Sequence, residues 1–124
     1  MNAARLLAAD AMSEAELLDC VITTARLFHW RAYHPWRSDH SEAGYPDLTL
    51  VRVRPPAPPQ LLFAELKRQG KRPTTAQRAW LIDLAAVSLT ATLLGQPQLV
   101  RVVIWTPADW LDGKIERVLR GGEP

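Results

Sequence analysis

Leu17, Val21, Ala25 and Phe28 recur at helical spacing, with Leu18 and Ile22 beside them, so "SEAELLDCVITTARLFHW" (13–30) predicts an amphipathic helix. Ser13 followed by Glu16 is an S-x-x-E capping box that marks its start. Residues 1–12 before it read as a helical or frayed leader. The period then changes from 3.6 to 2. "WRAYH" (30–34) is short, aromatic and alternating, and "DLTLVRV" (47–53) alternates Leu48 and Leu50 with Thr49 and Val51, so both predict strands. Between them "PWRSDHSEAGYP" (35–46) is a loop by its Pro, Gly, Ser and Asp content. "RPPAPPQ" (54–60) holds four prolines in seven residues; it cannot continue a ladder and predicts a hairpin connection. "LLFAELK" (61–67) opens on four apolar residues and reads as a buried strand.

After the turn "RQGKRP", Thr74 to Leu94 predicts a second amphipathic helix, opened by Thr74 with Gln77 in a capping-box pattern and stopped by Gly95. "LVRVVIW" (99–105) reads as a buried strand. Thr106-Pro107 opens a short helix with proline at its first position, Gly113 breaks it, and "KIERVLR" is a last helical stretch. The order is α-β-β-β-α-β-α. The proline hairpin makes one strand pair antiparallel; the helix crossing before the fourth strand makes another parallel. The expectation is an α/β fold with a mixed four-stranded sheet flanked by helices and short C-terminal helices, one domain over 13–120.

Composition narrows the class. The chain has 124 residues, 48% apolar and 23% charged, as a globular domain does. One cysteine, Cys20, excludes an internal disulfide and reads as a small buried or half-buried hydrophobe; His29, His34 and His40 lack a metal-finger spacing. No apolar run approaches the ~20 residues of a membrane span, and Arg5 and Asp10 interrupt any signal peptide, so a cytoplasmic protein is expected. Net charge is only +2, but its distribution is uneven. Residues 1–20 carry Arg5 against Asp10, Glu14, Glu16 and Asp19, whereas 65–78 carry Lys67, Arg68, Lys71, Arg72 and Arg78 against Glu65. Such a basic cluster suits a phosphate-bearing partner, though on charge alone a solvated loop is the stronger reading.

Glu65 and Lys67, two apart on a strand, share a face. Asp47 opens the strand paired with theirs, so the hairpin brings two carboxylates and a lysine to one sheet edge. Hard oxygen donors at that density suit Mg²⁺ or Mn²⁺, and the lysine can orient water or neutralise phosphate charge. The same three residues also read as a surface ion-pair network.

The stretches "GYPDLTLVR", "LLFAELKRQGKRPTTAQRAWL" and "VRVVIWTPADW" carry P-D followed by E-x-K at the end of the next strand. This resembles the signature of the PD-(D/E)xK nuclease superfamily, and in its details the virus-type replication-repair nuclease (VRR-NUC) branch of stand-alone phage or prophage proteins. The resemblance covers roughly residues 13–112. It implies a restriction-endonuclease-like αβββαβ core and a Mg²⁺- or Mn²⁺-dependent endonuclease acting on structured or branched DNA. It implies metal ligation by Asp47, Glu65 and the backbone carbonyl of Leu66, with Lys67 as catalytic lysine, Gln77 as the glutamine of the second helix, and Glu14, with Glu16 in reserve, as the first-helix glutamate. Homodimers with two sites for two strands belong to the same expectation. A catalytically inactive nucleic-acid-binding module and an unrelated α/β interaction protein are the alternatives.

The helix geometry bears on two of these residues separately. Glu14 shares a face with Leu17 and Val21, and Gln77 with Leu81 and Leu84, so each is polar on an inward stripe near a helix start. Glu14 also suits the helix dipole and Gln77 a capping box, while Glu16 fits the capping glutamate. Arg68, Lys71, Arg72 and Arg78 would hold flanking phosphates, and His34 or Arg37, with Ser38 and His40 nearby, could meet DNA or be ordinary loop polarity. Trp80 and Trp105 read as core; Trp36 is the loop tryptophan considered as a DNA wedge.

Overall fold

Helix starts follow the side-chain acceptors the chain offers. In the computed structural model, which describes residues 2–35 and 42–121, Asn2 caps α1 (Ala3–Ala11) by accepting from the Arg5 N–H. Ser13 caps α2 (Glu14–Leu27): its hydroxyl accepts from the Glu16 N–H at 3.1 Å, and Glu16 accepts from the Ser13 N–H at 3.3 Å. Such caps satisfy donors a helix start leaves open, at about 1 kcal/mol each. Three strands follow, β1 (Arg31–Tyr33), β2 (Leu48–Arg52) and β3 (Gln60–Leu66). Then come α3 (Thr75–Leu93), β4 (Val100–Trp105), α4 (Pro107–Leu111) and α5 (Lys114–Arg120). At α4 the Thr106 N–H and hydroxyl both donate to Asp109.

The strands form one sheet in the order β1-β2-β3-β4. β1 and β2 pair antiparallel, β2 and β3 antiparallel across the proline hairpin, β3 and β4 parallel. The protein is therefore an α/β fold with a mixed four-stranded sheet flanked by helices, as the hydrophobic periods predict.

Alternation divides the sheet into two faces. Leu48, Leu50, Leu62, Ala64 and Leu66 are buried with Leu17, Val21 and Ala25 of α2 and Ile115, Val118 and Leu119 of α5. Trp30 closes that core, its indole N–H donating to the Leu119 carbonyl at 2.8 Å. α1 packs on α4 and buries Ala9. The other face lies under α3, where Tyr45 makes edge contacts with Phe63 and Trp80. Trp105 is fully buried and Trp80 half-buried, as core residues.

Two expectations need correction. β4 is not a buried strand: it is a sheet edge, and Ile104 is 45% exposed. α3 is not amphipathic: of its 19 residues Leu81 and Ala91 are buried, while Ile82, Val87, Leu89 and Leu93 face outward or sideways. The spacing of Leu81 and Leu84 marks the inward face correctly but leaves the outer face undescribed. No described helix is long and apolar enough to cross a membrane.

Candidate active site

The β2–β3 register sets Leu48 opposite Ala64. One step outward, where β2 begins, Asp47 stands beside Glu65. Its Oδ2 accepts from the Leu66 N–H at 2.8 Å, which ties the carboxylate to the end of β3. Its backbone carbonyl accepts from Nδ1–H of His34 at 2.8 Å, so β1's last turn of chain braces it from behind.

Glu65 is 1% exposed. Its Oε1 accepts from the Gln77 Nε2 at 3.4 Å, and its Oε2 is buried without a hydrogen-bond partner. Burial first, then the neighbouring Asp47 carboxylate, push its carboxyl up to about 9; Lys67 opposes this and Glu14 adds to it. Lys67 is also buried, and its N–H is held by the Trp105 carbonyl of β4 at 2.9 Å. Among the described residues the ion pairs are Lys114 with Asp109 and Arg120 with Glu116. Glu65 and Lys67 are thus not a surface ion pair: both are buried and no contact joins them within 4.0 Å.

Two helix starts complete the edge. Glu14 Oε1 accepts from the Arg68 N–H at 3.2 Å, so α2 leans on the chain leaving β3. Glu16 is taken by the capping box and Glu14 is left to line a cavity of about 130 Å³ with Ala15, Leu18, His34, Asp47 and Leu66. At α3, Gln77 serves both expected roles at once. Its Oε1 accepts from the Thr74 N–H at 2.8 Å in the capping box, which leaves Nε2 aimed at Glu65. Arg68, Lys71, Arg72 and Arg78 are exposed around the same end of the molecule. Arg37, Ser38, His40 and Trp36 lie outside the described residues.

Three structural roles go beyond the sequence reading, which took the glycine before P-D only as part of the family resemblance. Gly44 has φ of +82°, and a Cβ there would fall 2.3 Å from the Ala76 carbonyl carbon and 2.6 Å from the Gln77 nitrogen. Glycine therefore lets the Asp47 loop sit directly on the start of α3. Its place two residues before P-D was the available signal. Tyr45 pins that loop by its ring contacts and by a 2.9 Å hydrogen bond to Thr49. Gln69 accepts from the Ala108 N–H at 3.0 Å and fastens the basic turn to α4; nothing local in the sequence marks it.

The donor set fits a hard divalent cation. Two carboxylates lie side by side, and one buried oxygen lacks any partner, a costly arrangement without a compensating charge. Among the described residues no three His, Cys, Asp or Glu side chains cluster into a cage. Mg²⁺ does not require one, since it is commonly held by one or two carboxylates with waters and substrate oxygens in its remaining positions. Comparisons with protein-family models, with curated proteins and with solved structures find no match.

Proposed function

We propose that the chain is a Mg²⁺- or Mn²⁺-dependent endonuclease with a restriction-endonuclease-like core of the VRR-NUC type, hydrolysing phosphodiester bonds in structured or branched DNA. The observation that carries this reading is the juxtaposition of Asp47 and Glu65, with Glu65 buried, short of a partner and faced by Gln77. A surface charge network would leave these groups in water. Here Glu65 is buried and Asp47 half-buried at one end of the β2–β3 pair, beside a cluster of cations.

Asp47, Glu65 and the Leu66 carbonyl would hold the cation, which supplies Lewis acidity at the phosphate and lowers the pKa of a bound water. Gln77, fixed by its own capping bond, holds Glu65 Oε1 in one orientation. Lys67 places an ammonium where negative charge grows on the phosphoryl oxygens as water adds to phosphorus and the ester oxygen leaves. Glu14 steadies the backbone that carries Arg68. Arg68, Lys71, Arg72 and Arg78 bind flanking phosphates without reading bases, which favours recognition of shape. An inactive module that kept the fold is the second reading; the presence of Asp47, Glu65 and Lys67 together on one edge weighs against it.

A cleavage panel tests the proposal. Single strands, duplex, flaps, splayed arms and four-way junctions are incubated with Mg²⁺ or Mn²⁺ and wild type, Glu65→Ala or Lys67→Ala. Expected is metal-dependent cleavage that falls by about 10³-fold in both variants. Equal cleavage by wild type and variants would assign the activity to a contaminant and sink the reading.

A further inference from the structure

A second group of polar side chains lies at the end of the sheet opposite the candidate site. Arg52 ends β2 and Gln60 opens β3; the register sets them opposite each other, and Leu62 opposite Arg101 of β4. By alternation all three share the face of Leu50 and Leu62, which are core residues. Gln60 is 8% exposed and Arg101 7%. Arg101 donates through Nη2 to Gln60 Oε1 at 2.8 Å, which fixes the amide and leaves its Nε2 as a donor. Arg52 is held differently. Its guanidinium lies over the Trp30 ring, 5.9 Å from the centroid, and Trp30 is itself fixed by its bond to Leu119. The Arg52 Nε is buried and has no hydrogen-bond partner. Among the described residues no carboxylate forms an ion pair with Arg52. Removing that donor from water is costly unless an acceptor meets it.

Arg52, Arg54, Gln60, Gln98 and Gly121 line a cavity of about 320 Å³, walled on one side by the proline hairpin. None of its described lining residues is acidic. The volume is at the lower end of the range for small-molecule sites. We propose that this cavity binds a phosphate group, carried either by a small molecule such as a nucleoside monophosphate or by a nucleic-acid strand. Arg52 offers a planar fork held in place by its stacking, Arg54 a second guanidinium at the exposed rim, and Gln60 an oriented amide. A carboxylate has two oxygens and one charge. A phosphate monoester has three terminal oxygens and up to two charges, which suits two arginines and an amide better. A purely structural Arg52 would spend its donors on the end of α5. Gly121 does lie beside its Nη1, yet Nε stays open. Gln60 and Glu65 stand five residues apart on β3, about 16 Å at the usual strand rise, so the inference does not rest on the nuclease reading.

Amide NMR titrations in EDTA test it. The probes are inorganic phosphate, a nucleoside monophosphate, and a short oligonucleotide with and without a terminal phosphate. Saturable shifts are expected at Arg54, Gln60, Gln98 and Gly121 and at the Arg52 side-chain N–H. Saturation by the small phosphates identifies the ligand as a free molecule; saturation by the oligonucleotides alone identifies it as a strand. Arg54→Ala, at an exposed position that leaves the fold intact, should weaken binding about tenfold. Arg52→Lys keeps the charge, loses the fork and should weaken it by a similar factor. Several results would overturn the proposal: no saturation by any probe, shifts confined to Arg68, Lys71 and Arg72, an equal response to acetate, or wild-type affinity in both variants. Binding that appears only in Glu123→Gln would assign the cavity to the chain's own carboxylate and overturn it as well.

Discussion

α2 and α3 flank the same sheet on opposite faces and start with the same device, yet they are finished differently. α2 buries Leu17, Val21 and Ala25 completely and turns polar residues outward. α3 buries little and turns leucine and isoleucine outward. At the N-terminus the contrast sharpens. In α2 capping and site contact belong to different residues, Glu16 and Glu14; in α3 one residue, Gln77, does both. Division of labour in α2 makes each role removable alone. Their fusion in α3 means that local helix geometry itself sets the orientation of a side chain facing Glu65.

The largest effect expected from breaking this arrangement is at Gly44. Gly44→Ala would place a methyl group 2.3 Å from backbone that cannot swing aside, at a φ that disfavours any side chain. The loop or the start of α3 must shift. Loss of about 3 kcal/mol or more in chemical denaturation is expected, with loss of cleavage in whatever remains folded. A variant of wild-type stability would mean that the Asp47 loop does not rest on α3.

Next in size is the pH dependence of the metal-free protein. With its carboxyl raised to about 9 against an ordinary 4.5, Glu65 holds a proton in the folded chain that the unfolded chain has released across that interval. Folding then takes up a proton, so this group's contribution is fully present below pH 4.5, declines as pH rises, and is gone above 9. Its slope is at most about 1.4 kcal/mol per pH unit. Glu65→Gln should flatten the decline between pH 6 and 9, as followed by urea denaturation in EDTA. Mn²⁺ binding, which must displace the same proton, should tighten with pH over that window in the wild type. A pH-independent affinity would show Glu65 already ionised.

Gln77 separates the two helices directly. Gln77→Ala should cost about 1 kcal/mol by loss of the cap and also lower cleavage. Gln77→Glu keeps a capping oxygen but replaces the Nε2 donor with a carboxylate facing Glu65. Stability should be largely kept in Mn²⁺ while cleavage falls about tenfold or more, measured as single-turnover rates. Equal activity in both variants and wild type would reduce Gln77 to a cap.

How much was legible beforehand follows the range of the interactions. Ser13 with Glu16 and Thr74 with Gln77 are bonds across three residues, so spacing alone locates both helix starts. The meeting of Asp47 with Glu65 needs only the hairpin, whose pairing direction the prolines and the alternation of Leu48 and Leu50 dictate. Beyond that range, local pattern stops deciding. Gly44 against Ala76, His34 on the Asp47 carbonyl and Gln69 on Ala108 join segments that only tertiary packing brings together. The outer face of α3 escaped for another reason. A stripe at Leu81 and Leu84 says which side turns inward, but Arg78, Asp83, Ser88, Thr90 and Thr92 are scattered among exposed apolar residues and mark no single solvent side.

The smallest effect is the control on the α2 side. Glu16→Ala removes the carboxylate that accepts from the Ser13 N–H and nothing else, since Glu14 carries the bond to Arg68. A loss of about 0.5–1 kcal/mol is expected, with cleavage and Mn²⁺ response unchanged. Glu14→Ala should show the opposite profile, stability kept within about 0.5 kcal/mol and cleavage reduced, because an exposed first-turn carboxylate contributes little to a helix already capped. If Glu16→Ala lost activity as Gln77→Ala does, α2 would share the fused design of α3, with capping and site geometry no longer separable in either helix.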